Sequence, residues 1–232
     1  FVQSILNCLY YLIIQVPIML LLALVLASAL NDPHLKFKGF FRTCIFLPCA
    51  TSLVAYAIVF RSLFATDGFI NNLLIKMGIL DEAFNFLANP TTAKIVIIIA
   101  LVWRWTGYNM IFYLAALQNI DSSVYEAAKV DGASPFQTFF KITLPLLRPI
   151  LIYVMITSLI GGLQLFDVPQ ILTNGTGDPM RSSMTLIMFL NKHLYSKNYG
   201  MSGALSVYML IVTAILSFIV FRINNYGADD RR

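Results

Sequence analysis

Long apolar runs constrain this chain more than any other feature of its sequence. A helix needs about 20 predominantly apolar residues to cross the hydrocarbon core of a bilayer. Hydrophobic residues make up 59% of the 232 residues and charged residues only 12%, whereas a soluble domain carries about 25% charged residues. We therefore predict an all-α, polytopic membrane protein with about five transmembrane helices, at residues 5–30, 43–64, 93–117, 146–166 and 201–221.

The distribution of Lys and Arg indicates orientation in the membrane. If the connection 31–42 is cytoplasmic, nine of the 16 Lys and Arg residues lie on the cytoplasmic side and six outside, which is the bias expected of cytoplasmic loops. They form no basic patch, so we expect no nucleic-acid partner. The three cysteines and two histidines do not have the spacing of metal ligands, so we expect no metal site. Because the spans are apolar, we expect membrane lipid to surround them.

The connection between the third and fourth spans has an unusual pattern. From Glu126 it reads EAAKVDGASPFQTFFKITLP. Ser123 and Glu126 have the spacing of a capping box, which predicts a helix starting at Ser123. Gly132 can adopt the left-handed conformation that ends a helix, and Ser134-Pro135 supplies an N-cap followed by proline at the first helical position. We predict two short helices with a turn between them.

This segment resembles the coupling loop, or EAA loop, of the membrane subunits of ATP-binding-cassette (ABC) importers. The features that match are Glu126-Ala127-Ala128, Gly132, Ile142 and Leu144-Pro145. The rest of the chain is similar to permeases of the maltose-type carbohydrate importers, which the residues 105–110, 117–120 and 172–175 also match.

The resemblance implies the fold of a type I ABC importer permease. It implies a single transmembrane type-1 domain over residues 1–232 and a coupling loop at 121–145. The family core has six spans, of which we expect five here, the first being absent from this sequence. In such permeases the coupling loop contacts the ATPase, and the positions that match it here are Tyr125, Glu126, Ala127, Ala128, Asp131, Gly132, Ala133, Ser134 and Pro135.

The resemblance also implies the partners and the mechanism. We expect a second permease subunit in a heterodimer, two ATP-binding-cassette ATPase subunits, and an extracytoplasmic solute-binding protein that delivers a sugar at a bacterial or archaeal plasma membrane. The sequence contains no Gly-x-x-x-x-Gly-Lys-Ser/Thr motif. We therefore expect a transporter subunit and not an enzyme, with no cofactor on this chain, ATP and Mg²⁺ on the partners, and alternating access as the mechanism.

Two clusters form the expected substrate pathway. An ionisable residue deep in a span, such as Arg104, is by default a functional candidate, and sugars bind through aromatic stacking and hydrogen bonds. The clusters are Trp103, Arg104, Trp105, Tyr108 and Asn109 in the third span and Ser158, Gly161, Gly162, Gln164, Leu165 and Asp167 in the fourth.

Both clusters have structural alternatives. Arg104 could pair with Asp167 across two spans instead of contacting substrate. Gly161 and Gly162 could serve helix packing, or could let the helix unwind there.

The cargo also has alternatives. A neutral di- or oligosaccharide is favoured, and a charged glycerophosphoryl or uronic-acid compound is the alternative because of Arg104 and the basic outer residues Arg181, Lys192 and Lys197. A secondary carrier would require inverted repeats, which are not visible. An intramembrane enzyme would require a Ser/His/Asp or paired-acid set, and the spans contain none.

Overall fold

The computed structural model describes the backbone of residues 1–229 and the side chains of residues 1–222. Every regular element in these residues is helical. In chain order the α-helices are α1 (Val2–Asn31), α2 (Lys38–Ala50), α3 (Leu53–Leu63), α4 (Phe69–Lys76), α5 (Pro90–Gln118), α6 (Ser122–Val130), α7 (Pro135–Thr138), α8 (Leu144–Leu146), α9 (Arg148–Leu163), α10 (Asp167–Leu172), α11 (Leu186–Tyr195) and α12 (Tyr199–Asp229). A π-helical turn, Phe139–Thr143, lies between α7 and α8.

Within the described residues, the helices long and apolar enough to cross a membrane agree with the five predicted spans. Four are α1, α5, α9 continued by α10, and α12, and the fifth is the bent pair α2 and α3. The second span is not the single helix predicted over 43–64. It starts earlier, at Lys38, and bends by 96° between Ala50 and Leu53.

The fourth span differs from the prediction at its far end. Gly161 and Gly162 are both helical, so the unwinding considered for them does not occur. The helix ends instead at Leu163, and α10 starts at Asp167 after a short irregular stretch. Gly162 serves packing: a Cβ at this position would overlap the side chain of Leu12 on α1.

Helices α1 and α5 form the centre of the bundle. Ala23 and Ala27 on α1 are fully buried beside Met110 and Leu114 on α5. Small residues allow helix backbones to approach closely, which matters in a membrane because lipid removes the hydrophobic drive for helices to associate. Helix α9 packs against both of them, and α12 packs against α9.

Asn7 anchors the long connection between α10 and α11 to the start of α1. Its side chain is buried, and its Nδ2 donates to the carbonyl oxygens of Arg181 and Met184, both at 3.0 Å. Further along the same connection, Thr185 donates from its hydroxyl to the Leu165 carbonyl at 2.6 Å. These buried hydrogen bonds hold the irregular stretch after α9 in place.

Gly107 is the point where α5 crosses α2. A Cβ at Gly107 would overlap the Ile45 carbonyl, and the backbone of Phe46 lies close by. The crossing therefore requires the absence of a side chain at this position.

We expect Gly107→Ala to separate α2 from α5 and to destabilise the protein by about 1–3 kcal/mol, the usual cost of overpacking. The measurement is thermal unfolding of the detergent-purified protein. The matched control is Gly203→Ala on α12, where a Cβ meets nothing within 4 Å and where alanine should be neutral or stabilising because it favours helix. Equal stability of the two variants would contradict the proposed crossing.

Candidate functional site

A cavity of about 270 Å³ lies between α1, α3, α5, α9 and the start of α10. It collects residues from both clusters that the sequence predicted. Nine of the eleven predicted pathway residues line it, namely Trp105, Tyr108, Asn109, Ser158, Gly161, Gly162, Gln164, Leu165 and Asp167. The two clusters, separated in sequence, therefore form one site near the middle of the long helices.

Two amides at the cavity share a weak acceptor. Gln15 Nε2 and Asn109 Nδ2 both donate to the Met19 sulfur, at 3.2 and 3.3 Å. A thioether accepts hydrogen bonds only weakly, so a ligand hydroxyl could replace it at little cost. Asn109 was predicted, but Gln15 and Met19 were not. The available signal was an amide in the middle of an otherwise apolar span.

Aromatic rings form one wall of the same cavity. Trp105 and Tyr108 contact each other edge to face, with centroids 5.7 Å apart, and Phe166 lines the cavity from the stretch before α10. Aromatic faces beside amides and hydroxyls provide both kinds of contact that a sugar needs, one for its C–H faces and one for its hydroxyl groups.

Arg104 lies outside the cavity and binds the backbone at the bend between α2 and α3. The residue is only 5% exposed. Its Nη1 donates to the Pro48 carbonyl at 2.8 Å and to the Thr51 hydroxyl at 3.4 Å. Its Nη2 donates to the carbonyls of Cys49 at 3.0 Å and Thr51 at 2.9 Å.

These hydrogen bonds explain why the second span bends. The last carbonyls of a helix have no intrahelical donor, and at the end of α2 the guanidinium supplies donors in place of a following turn. The Tyr56 ring on α3 lies 4.7 Å from the guanidinium carbon, a cation–π contact that ties the second half of the bend to the same group.

The contacts of Arg104 in this structure favour a structural role over contact with substrate. Its partners are the backbone carbonyls at the bend and not the predicted Asp167. Among the described residues, the sole ion pair is between His34 and Asp32, so Arg104 and Asp167 are not paired. Trp103 is also outside the cavity. It is 48% exposed and stacks on Tyr56 with centroids 6.2 Å apart.

The connection after α5 forms the two short helices that the sequence predicted, α6 and α7. The predicted start was wrong in detail. Asp121, not Ser123, is the N-cap of α6, and its side chain accepts the Ser123 amide at 3.0 Å. This hydrogen bond lowers the pKa of the exposed Asp121 carboxyl. Asp at the N-cap leaves the predicted Ser123–Glu126 capping box unformed.

The turn between the two helices is as predicted. Gly132 has φ of +73°, and its amide donates to the Lys129 carbonyl at 3.1 Å, while the Ala133 amide donates to the Ala128 carbonyl at 2.9 Å. This pair of bonds is a Schellman motif. Ser134 then forms a complete capping box with Gln137, and Pro135 occupies the first turn of α7.

The predicted coupling residues divide between two faces. Ala128 is 4% exposed and packs inside the chain, and Tyr125 accepts a hydrogen bond from the Thr143 hydroxyl at 3.4 Å. Glu126, Ala127, Asp131, Gly132, Ser134 and Pro135 are exposed, and Ala133 is half-buried.

The structure adds apolar residues to the exposed face that sequence reasoning did not single out. Val130 is 88% exposed and Phe136 is 72% exposed, and the Phe136 ring contacts that of Phe140 with centroids 4.4 Å apart. Apolar side chains on a connection between spans are the feature that could have indicated a docking surface.

The return from α7 to α9 is irregular. The π-helical turn Phe139–Thr143 is followed by Pro145 and Pro149, neither of which has an amide hydrogen to donate. Single π-turns are rare and are found at functional sites. This stretch links the exposed short helices to α9, which contributes Thr157, Ser158, Gly161 and Gly162 to the cavity lining.

We expect Arg104→Ala to lower protein level and transport together, because it leaves three carbonyls at the bend without their donor. The loss should be on the order of 3 kcal/mol, given that hydrogen bonds to a charged group contribute about 1.5–3 kcal/mol. Thermal unfolding and membrane abundance measure it. The control Arg61→Ala removes an exposed cation from α3 and should change stability by less than about 0.5 kcal/mol. Normal abundance of Arg104→Ala with lost transport would contradict the structural role.

The family model described as "Binding-protein-dependent transport system inner membrane component" matches residues 19–228. The chain is 47% identical over 234 residues to the lactose transport system permease protein LacF of Rhizobium radiobacter, covering 100% of this chain and 77% of that protein. It is 33% identical to the arabinooligosaccharides transport system permease protein AraP of Bacillus subtilis, covering 92% of this chain and 67% of that protein.

A solved structure shares the fold. It is a bacterial ABC transporter involved in the import of the acidic polysaccharide alginate, and one of its chains superposes with a TM-score of 0.84 at 24% identity, covering 97% of this chain and 79% of that one. The sequence matches and the helical architecture agree with the resemblance carried by the coupling segment. The chain belongs to the binding-protein-dependent transport system inner membrane component family, as a permease of the carbohydrate-uptake ABC importers.

Proposed function

We propose that this chain is one half of the membrane channel of an ATP-driven importer for a neutral di- or oligosaccharide. The observation that carries the proposal is the cavity, where aromatic rings and uncharged polar groups from both predicted clusters meet within one bundle. The short helices α6 and α7 follow α5 in the chain and precede α9, and both α5 and α9 contribute to the cavity.

The cavity is incomplete in this chain alone. Gly161 and Gln164 line it and are exposed, so its open side requires a second surface. A second permease subunit, different from this one, would close it and complete the sugar path. An extracytoplasmic solute-binding protein would deliver the sugar at the plasma membrane of a bacterium or archaeon. A solved relative of the fold is described in complex with its alginate pentasaccharide-bound periplasmic protein.

Energy would come from two ATPase subunits that hold ATP and Mg²⁺. The exposed face of α6 and α7, with Val130 and Phe136 at its most exposed points, is the surface that we assign to the ATPase. The turn at Gly132 is held by two backbone bonds and a capping box. A push on this face is therefore transmitted as rigid-body movement, which alternating access requires.

The named relatives favour neutral cargo. LacF is named for lactose, AraP for arabinooligosaccharides, and a 31% identical permease of Thermococcus litoralis for trehalose and maltose. Charged glycerophosphoryl or uronic-acid cargo is suggested by Arg104 and by the basic outer residues Arg181, Lys192 and Lys197. The Arg104 guanidinium points to backbone carbonyls instead of the cavity, and none of the three outer residues lines the cavity. The secondary carrier has no observation in its favour.

We expect Gly161→Leu to block sugar binding without unfolding the protein. A Cβ at Gly161 meets nothing within 4 Å, and because Gly161 lines the cavity, the added side chain is expected to occupy cavity space. The measurement is uptake of radiolabelled lactose, maltose and trehalose into proteoliposomes that contain the complete importer. Uptake should fall at least about tenfold, the effect of losing about 1.4 kcal/mol of binding.

The matched control is Gly203→Leu, at an equally open helical glycine on α12 that does not line the cavity. It should transport normally. Unchanged uptake by Gly161→Leu would contradict the assignment of the cavity to sugar.

We expect Gly132→Leu to uncouple ATP hydrolysis from transport while the complex still assembles. The left-handed conformation of Gly132 costs other residues about 1–2 kcal/mol, and leucine would relieve that strain by shifting α6 relative to α7. The number of sugar molecules imported per ATP hydrolysed should fall severalfold. Both quantities are measured on the same proteoliposomes.

The matched control is Gly132→Asn, because asparagine tolerates the left-handed region. It should retain most of the wild-type ratio. A wild-type ratio in Gly132→Leu would show that the turn geometry does not matter for coupling.

A further inference from the structure

We propose that Asp167 is a specificity residue that excludes anionic sugars, so that the cavity accepts sugars without negative charge, including amino sugars. The proposal rests on the function proposed above and adds the charge of the cargo. The sequence places Asp167 in the substrate pathway but assigns no charge preference to it.

The charge of the cavity lining is the first observation. Its described residues are apolar, aromatic, hydroxyl or amide side chains with one exception, the carboxylate of Asp167. No Lys, Arg or His belongs to the lining. An anionic ligand would therefore meet a carboxylate and no cation on this subunit.

The state of Asp167 is the second observation. It is half-buried at the first turn of α10 and faces the cavity. Within the described part of the chain, no hydrogen bond or ion pair involves its side chain. Burying an acid without a partner in the membrane costs free energy, so a structural role alone accounts poorly for it at this place.

The position of Arg104 is the third observation. Its guanidinium carbon lies 4.7 Å from the centroid of the Tyr56 ring. The guanidinium directs its terminal nitrogens to the carbonyls of Pro48, Cys49 and Thr51. The remaining Nε–H is buried and has no partner. Arg104 therefore has no donor that a cargo anion could reach.

The size of the effect follows from Coulomb's law. Two like charges a few ångströms apart at a partly buried site repel strongly enough to lower affinity at least about tenfold. The same charge attracts an ammonium group. The expected order of affinity is amino sugar at least equal to neutral sugar, and anionic sugar weakest.

Three isosteric probes test this order. They are lactose, its counterpart with a carboxylate at C6 of the glucose unit, and its counterpart with an ammonium group at C2. Each competes with radiolabelled lactose for the purified complete importer in lipid nanodiscs, without the solute-binding protein, whose own selectivity is thereby removed. Maltose and trehalose serve as further neutral probes.

For the wild type we expect the carboxylate probe to bind at least about tenfold more weakly than lactose, and the ammonium probe to bind as well as lactose or better. In Asp167→Asn the ratio between the affinities for lactose and for the carboxylate probe should shrink to within about threefold, because asparagine keeps the shape and removes the charge. Asp167→Glu keeps the charge and should keep the exclusion.

The outcomes separate the two proposals. If the wild type binds the carboxylate probe as well as lactose, or if Asp167→Asn binds lactose yet leaves the ratio unchanged, the role of Asp167 is overturned while sugar import stands. If none of the three neutral sugars binds the wild type, the proposed function fails and this inference with it. If the Asp167 variants do not fold, a wild type that binds the carboxylate probe as well as lactose still overturns the proposal.

Discussion

The contact between the Arg104 guanidinium and the carbonyls at the end of α2 is the interaction on which the site depends. A transmembrane segment with a 96° bend exposes backbone groups that lipid cannot hydrogen-bond. One buried side chain from α5 satisfies three of these carbonyls. The bend then directs α3 toward α10, and Leu53 at its start becomes part of the cavity wall.

The same helix, α5, fixes the rest of the geometry. Gly107 lets it cross α2 closely, and Asn109 faces the opposite side, toward Met19 on α1. Two adjacent turns of one helix thus serve different purposes. Arg104 binds the carbonyls at the bend, Gly107 allows the close crossing with α2, and Trp105, Tyr108 and Asn109 line the cavity.

The exposed short helices and the cavity are joined by an irregular stretch, which contains the π-helical turn Phe139–Thr143 and Pro145 and Pro149. The turn at Gly132 is rigid, since backbone bonds and a capping box satisfy its polar groups. The π-helical turn and the two prolines that follow have fewer internal bonds. This irregular stretch leads into α9, which carries Gly161 and is followed by Gln164 and Asp167.

Much of this structure follows from interactions between residues that are close together in the chain. Apolar length gave the five spans, and the turn chemistry of Gly132, Ser134 and Pro135 gave the two helices of the coupling segment, because hydrogen bonds between near neighbours determine such features. The start of α6 was misplaced because Asp121 and Ser123 both have capping side chains, and the choice depends on backbone angles. The exposed apolar Val130 and Phe136 were missed because a sequence does not state which face is covered.

The sequence by itself determined the membrane class, the spans and the family, since these follow from composition and from residues close together in the chain. Tertiary structure alone decided the role of Arg104, whose partners lie on another span, and the bend that those partners create. It alone also brought Gln15 and Met19 to Asn109 and, among the described residues, left Asp167 without an ion-pair partner. Contacts between distant segments depend on how the helices cross, and that geometry is set by packing across the whole bundle.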